Sequence, residues 1–323
     1  MTGGDDERRR ARRLAPGPGL RRLHLAVTRR LDGLLNGEHL GLLPGPGTEL
    51  AEARLYQAGE DDVRHMDWAV TARTTNPHVR DLVADHELEA WALVDLTPSM
   101  DFGTAHLTKR DLAAAALAAV GFLTVRLGDR VGAYLHTPAG LRRQPARTGR
   151  PALYALLHTI LTTPIQPAPT APATLGAALT ALASGQTRRG LRVVISDFLP
   201  QPGDDPEHPP WERPLRRLTA RHQVLAVEII DPRELDLPDI GLLDMTDPET
   251  GATHEIVLDR RTRQKYARAA AAHRAATRAA LRRAGAHHLV LRTDRDWIAD
   301  IARFALRQRR AAGRAIAAPG VRA

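Results

Sequence analysis

From residue 88 onward, apolar runs of strand length alternate with stretches of helical period. Residues 88–96, 191–196, 224–230 and 288–291 are mostly apolar runs of strand length, which predicts four buried strands. Leu112, Ala116, Val120, Leu123 and Leu127 share one face at helical spacing. Residues 151–162, 174–183 and 211–221 also read as helices. Residues 260–284 form a long alanine/arginine helix with Gly285 as its C′ residue. Trp297, Ile301, Phe304 and Ala305 mark a last amphipathic helix. Residues 130–136 and 141–144 predict a hairpin across Pro138-Ala139-Gly140, and residues 241–247 and 253–258 a second one. Pro164, Pro167 and Pro169 force a loop over 163–172. Such alternation predicts an α/β fold: a doubly wound, mainly parallel sheet with helices on both faces, plus a small β-rich appendage.

The pattern upstream is different. Residues 1–20 are arginine-rich and then Pro/Gly-rich, a composition expected to fray, while residues 20–35 have helical spacing. Residues 48–89 are acidic and short-patterned, which predicts loops with short strands. The expected organisation is an arginine-rich segment and helix (1–35), an acidic β/loop appendage (36–87), an α/β domain (88–310) and a tail (311–323). The hairpin at 241–258 is a candidate to join the appendage.

Composition then narrows the chemistry. The 323 residues contain no cysteine, which removes disulfides, thiolate zinc sites and cysteine nucleophiles. No apolar run is long enough to span a membrane and no signal-peptide core opens the chain, so a cytoplasmic protein is expected. The net charge of +9 is concentrated at residues 1–30 and 260–323, with acidic stretches between. Only Lys109 and Lys265 are lysines, so arginine bias explains much of the basic character. Aromatics make up 4%, with no aromatic-interleaved basic motif, which argues against nucleic acid as the partner of the basic C-terminal helix. No P-loop, His-Glu-x-x-His or Gly-x-Ser-x-Gly motif occurs, so no catalytic residue is assigned. Trp68 and Trp91 are expected in packing, and His287-His288 precede a strand with no ligand role required.

The first strand ends Asp95-Leu96-Thr97-Pro98-Ser99-Met100. A carboxylate and two hydroxyls at alternate positions are a hard-oxygen half-shell suited to Mg²⁺. Serine is rare here, occurring only at 99, 184 and 196, so Ser99 stands above composition. Thr174 opens a helix after the proline-rich loop, and Asp197 ends the strand at 191–196. A parallel sheet would bring Asp95 and Asp197 to the same edge. Two other readings use these residues: strand-end caps bonded to local backbone, and a phosphatase-like nucleophile loop. The latter wants a second Asp where Thr97 stands.

Asp95, Thr97, Ser99, Thr174 and Asp197 resemble, in order and spacing, the metal-ion-dependent adhesion site of the von Willebrand factor A fold, with Thr97 in place of the first serine. The resemblance implies Mg²⁺ (or Mn²⁺ or Ca²⁺) held directly by the hydroxyls and the Thr. The Asp residues often act through water, and a partner's Glu or Asp completes the shell. Further upstream, Gly59-Glu60-Asp61-Asp62-Val63-Arg64-His65-Met66-Asp67-Trp68 followed by Thr71-Ala72-Arg73 is similar to a box of the bacterial "domain of unknown function 58" family, as is Asp231-Pro232-Arg233-Glu234-Leu235-Asp236-Leu237-Pro238. The charged residues of the first box read as an ion-pair lattice, or alternatively as an active-site cluster. Membership implies a MoxR-type AAA+ ATPase or its client as partner, in chaperone-like assembly. The expected function is therefore a non-enzymatic, metal-dependent protein-interaction module. The alternatives are a metal-assisted hydrolase using the same carboxylates and nucleic-acid binding through the basic C-terminal helix.

Overall fold

The computed structural model describes residues 53–56, 66, 68–74, 76–80, 89–105, 107–125, 130–164, 173–186, 189–201, 203–246 and 253–317. The predicted helix at 20–35, most of the acidic box and Leu127 lie outside these residues.

Six strands form the central sheet: β3 (Glu89–Asp95), β4 (Arg130–Thr137), β5 (Gly140–Arg147), β6 (Leu191–Ser196), β7 (Gln223–Ile230) and β10 (His287–Arg292). Their spatial order is β10-β7-β6-β3-β4-β5. All neighbours run parallel except the edge pair β4/β5. The chain starts in the middle, winds to one edge, then returns and winds to the other. This is the doubly wound α/β architecture expected from the alternation of strand and helix patterns. Its crossing point, between the carboxyl ends of β3 and β6, is where such sheets bind ligands.

Strand β4 exceeds its expected role as half of a hairpin. It pairs antiparallel with β5 and parallel with β3, and it is buried almost throughout. The predicted boundaries of β6 match those observed, and the other predicted strands and helices from 88 onward agree within a few residues.

Successive strand residues alternate between two cores. Ala92, Val94 and Leu96 pack with α2 (Lys109–Val125), α3 (Arg150–Thr162) and α7 (Trp297–Ala317). Trp91 and Leu93 pack with α4 (Leu175–Gly185), α5 (Glu212–Thr219) and α6 (Arg260–Arg283). Residues 112–120 of α2 are buried on every side, not on one stripe, because sheet and neighbouring helices enclose the helix. Its small alanines permit that close packing.

Gly285, with φ of +77°, ends α6 in a left-handed residue as its position predicts. The Gly285 N–H donates to Arg282 O at 3.0 Å and the Ala286 N–H to Leu281 O at 3.1 Å, closing a Schellman motif. Helix α7 continues to Ala317, into the segment expected as a tail.

Two small two-stranded sheets stand outside the central one. One pairs β1 (Ala53–Leu55) with β2 (His78–Arg80), and a short helix, α1 (Trp68–Thr74), lies between them in sequence. The other is the predicted hairpin, β8 (Gly241–Thr246) with β9 (Thr253–Leu258). Among the described residues it pairs with itself and not with β1/β2. Trp91 is buried as expected; Trp68 is instead 67% exposed.

Candidate functional site

Leu96 and Met100 are sunk in the core under β3. Pro98 starts a 3-10 turn over Pro98–Asp101, with Thr97 still extended before it. Anchoring the alternate residues this way gathers Asp95, Thr97 and Ser99. The Thr97 hydroxyl donates to Asp95 Oδ1 at 2.8 Å, the Thr97 N–H reaches the same oxygen at 3.1 Å, and Thr97 Oγ1 lies 3.3 Å from Ser99 Oγ. Asp95 and Ser99 are both buried.

Two residues not singled out for this site complete the surroundings of Asp95. Ser196, at the end of β6, donates its hydroxyl to Asp95 Oδ2 at 2.7 Å and accepts the Phe198 N–H at 3.0 Å. His136 sits directly opposite Asp95 in the β3/β4 register, with Nδ1 3.4 Å from Asp95 Oδ1. Burial alone would push the Asp95 carboxyl up. The His136 contacts, then the Ser196 and Thr97 hydroxyls, outweigh it and hold the pKa below the ordinary value.

The other ring nitrogen of His136, Nε2, lies 2.9 Å from Ala173 O. Thr174 is the next residue, and its hydroxyl caps α4 by accepting the Ala177 N–H at 3.2 Å. The imidazole therefore ties the start of α4 to the Asp95 cluster, which places Thr174 at this end of the sheet. Thr174 itself is exposed.

Asp197 takes a different direction. Ser196 turns toward the face that holds Asp95, while Asp197 reaches Lys109 at the start of α2 on the other face. Lys109 Nζ donates to Asp197 Oδ2 at 2.8 Å and also to Glu234 Oε1. The Leu199 N–H donates to Asp197 Oδ1 at 3.2 Å. The Lys109 side chain is fully buried. Burial would lower its pKa, but the Asp197 and Glu234 charges raise it well above the usual lysine value. Burial pushes the Glu234 carboxyl up against the pull of Lys109.

Glu234 is fixed by the Asp231–Pro238 segment, whose sequence resembles the family pattern noted above. Asp231 caps a short 3-10 turn at Pro232–Glu234, and its N–H donates to Glu234 Oε2 at 2.9 Å. Asp231, wholly buried, accepts the Thr104 N–H (2.8 Å), the Thr104 hydroxyl (2.5 Å), the Thr293 hydroxyl (2.8 Å) and the Arg233 N–H (2.9 Å). Burial works against the Asp231 charge, and these donors overcome it, so its pKa falls below the ordinary value.

The donor chemistry at Asp95 fits a hard cation in part. One carboxylate and the hydroxyls of Thr97, Ser99 and Ser196 are linked at one edge, all oxygen. Among the described residues no three His, Asp or Glu side chains cluster as metal ligands. The hydroxyls, water and an outside oxygen would have to supply the rest.

A family model described as "Protein of unknown function DUF58" matches residues 52–276. This chain belongs to the DUF58 family. A relative in Mycobacterium tuberculosis strain ATCC 25618 / H37Rv, "Uncharacterized protein Rv1480", is 53% identical over 293 residues, covering 91% of this DUF58 chain and 90% of the relative. "Uncharacterized protein MAV169" of Mycobacterium avium is 48% identical over 172 residues, covering 53% of this chain and 97% of that protein. Similar solved structures include BatB from Bacteroides thetaiotaomicron, at 16% identity and a TM-score of 0.40, covering 69% of this chain and 99% of that one. The SpRpn10 VWA domain has 12% identity and a TM-score of 0.37, with coverage of 67% and 94%. No helix among the described residues is long and apolar enough to cross a membrane.

Proposed function

We propose that this DUF58 chain is a non-enzymatic protein-interaction module that binds a partner carboxylate through a Mg²⁺ ion (or Mn²⁺ or Ca²⁺) at the Asp95 edge of its sheet. The observation that supports this reading is the linked Asp95–Thr97–Ser99 group at the crossing point between β3 and β6. Asp95, Thr97 and Ser99 would hold the ion. Thr174, brought to the same end through His136 and Ala173, is the next candidate ligand. Asp197 belongs to the site as an outer member, because Lys109 already neutralises it. A bound divalent ion would supply a Lewis-acid position for an incoming carboxylate. A MoxR-type AAA+ ATPase or its client is the proposed partner.

The hydrolase alternative would draw its base, a His or Glu, from the acidic segment at 48–89, most of which lies outside the described residues. The histidine nearest Asp95, His136, is buried and engaged at Nε2 with a backbone carbonyl, which leaves it poorly placed to activate water.

Titration calorimetry with Mg²⁺ and Mn²⁺ on the wild type and on Asp95→Ala tests the reading. Binding by the wild type and its loss in the variant are expected. An absence of wild-type binding, or equal binding by the variant, refutes the metal. A pull-down with and without chelator then tests the partner; retention of the same proteins in both refutes metal-dependent capture.

A further inference from the structure

Helix α6 lays one inner stripe along the sheet, but only part of that stripe is filled. Thr277, Ala280, Leu281 and Ala284 are buried. The same stripe continues toward the amino end as Tyr266, Ala269, Ala270, His273 and Arg274, none of which is buried. Beneath it lies a cleft of ≈ 290 Å³ at the carboxyl ends of β6 and β7. That is the small end of the range for ligand pockets, the size of a side chain more than of a cofactor.

Leu199, Ile230 and Leu235 give the cleft apolar walls, and the two alanines of α6 leave it open. Three carboxylates line it: Asp197, Glu228 and Glu234. Against them stand two permanent cations. Lys109 is shared by Asp197 and Glu234. Arg274 approaches Glu228, but its Nε is 3.6 Å from Oε1, beyond hydrogen-bond length, and that buried nitrogen has no hydrogen-bond partner among the described residues. The other Glu228 oxygen is 2.7 Å from His288 Nε2. Burial holds His273 below its ordinary pKa, so it adds no charge near neutral pH. The cleft thus sets three carboxylates against two permanent cations, and one of those carboxylates, 2% exposed, has an oxygen only loosely matched.

We infer that this cleft receives a single long cationic side chain, arginine or lysine, from a partner polypeptide. The aliphatic stem would lie along Leu199, Ile230 and Ala270 while the charged head meets Glu228, with the Tyr266 ring beside it. Asp197 borders both this cleft and the site proposed above, but the contact with Glu228 needs no metal ion and none of Asp95, Thr97 or Ser99, so a test in chelator separates the two.

The test uses the full chain in the presence of chelator, with alanine methyl groups labelled for NMR. Three capped pentapeptides are titrated, with arginine, lysine or norleucine as the central residue between glycines. The arginine or lysine peptide is expected to shift the Ala269 and Ala270 methyl signals and to bind about tenfold more tightly than the norleucine peptide. Glu228→Gln should remove most of that preference. Ala270→Phe, which fills the cleft, should abolish the shifts of Ala269 with the melting temperature little changed; Ala269→Leu serves if that variant does not fold. Equal binding of the norleucine peptide, no shift with any peptide, or an undiminished response in the space-filling variant would overturn the inference.

Discussion

Lys109 Nζ lies 2.8 Å from Asp197 Oδ2, and both side chains are almost wholly out of solvent. The ammonium also holds Glu234, so one buried cation joins the start of α2, the end of β6 and the turn after β7. Removing one partner of a buried pair leaves an uncompensated charge, at a cost of about 3–5 kcal/mol. Lys109→Met is therefore expected to lose about that much stability near neutral pH. The deficit should shrink as pH falls, because Glu234 can then take up a proton. Burial already pushes the Glu234 pKa up, which moves its protonation toward neutral pH. In the wild type the Lys109 contribution is fully present below the usual lysine value and fades only as pH rises through its higher folded value. Urea unfolding of both proteins at pH 5 and pH 8 measures the difference; an equal deficit at both would refute the charge argument.

Asp95 gives a pH dependence of opposite sense. Its folded pKa lies below the unfolded carboxylate value, so the stability it adds is present above about pH 3.8 and is lost as pH falls through the folded value. Asp95→Asn lacks this dependence and leaves donors facing an amide nitrogen, at a cost of about 1–3 kcal/mol near neutral pH. The gap between wild type and variant should close in strong acid. Acid unfolding followed by circular dichroism checks this, and a gap that stays constant down to the acid transition rules it out.

What the sequence made legible follows the range of the interactions. The strands of the central sheet show in the sequence because burial on both faces demands continuous apolar runs, as in the Val-Val-Ile of β6. Asp95, Thr97 and Ser99 show because their contact is local, set by alternation within six residues. His136, Ser196 and Glu234 do not, because strand order and register bring them in from 41, 101 and 139 positions further along the chain. Lys109 did carry a signal. It is one of two lysines in a chain whose other bases are all arginine, and a compact ammonium suits a position between two carboxylates that a planar guanidinium does not. The direction of Asp197 was hidden for a related reason: a strand end fixes the edge a residue reaches, while the following turn fixes its face.

Asp231 is a second buried carboxylate, bonded to three separate parts of the chain through Thr104, Thr293 and its own turn. Asp231→Asn replaces one acceptor oxygen with a donor that confronts either the Thr104 N–H and the Thr293 hydroxyl, both on Oδ2, or the Thr104 hydroxyl and the Arg233 N–H, both on Oδ1. A hydroxyl can rotate, but an amide N–H cannot. A loss of about 2–3 kcal/mol is expected, the scale of one charged hydrogen bond. Thr293→Val removes a single donor and should cost less, about 1.5 kcal/mol. Chemical denaturation of the two variants ranks them; a larger effect at Thr293 would contradict the proposed hierarchy.

Phe198 follows Asp197 with φ of +54°, the one non-glycine residue at positive φ among those described. The left-handed backbone costs an L-residue roughly 1–2 kcal/mol. The side chain offsets this: it is 2% exposed and meets the Trp211 ring edge-on with centroids 5.2 Å apart. Truncating a buried Phe costs about 3–5 kcal/mol, so packing outweighs backbone strain. Phe198→Gly should accordingly destabilise by about 1–4 kcal/mol, and Phe198→Ala, which keeps the strain and loses the packing, by more. The order of the two variants is the informative measurement. Should alanine prove as stable as glycine, the turn after Asp197 carries no strain, and the ring alone sets the direction in which that carboxylate points.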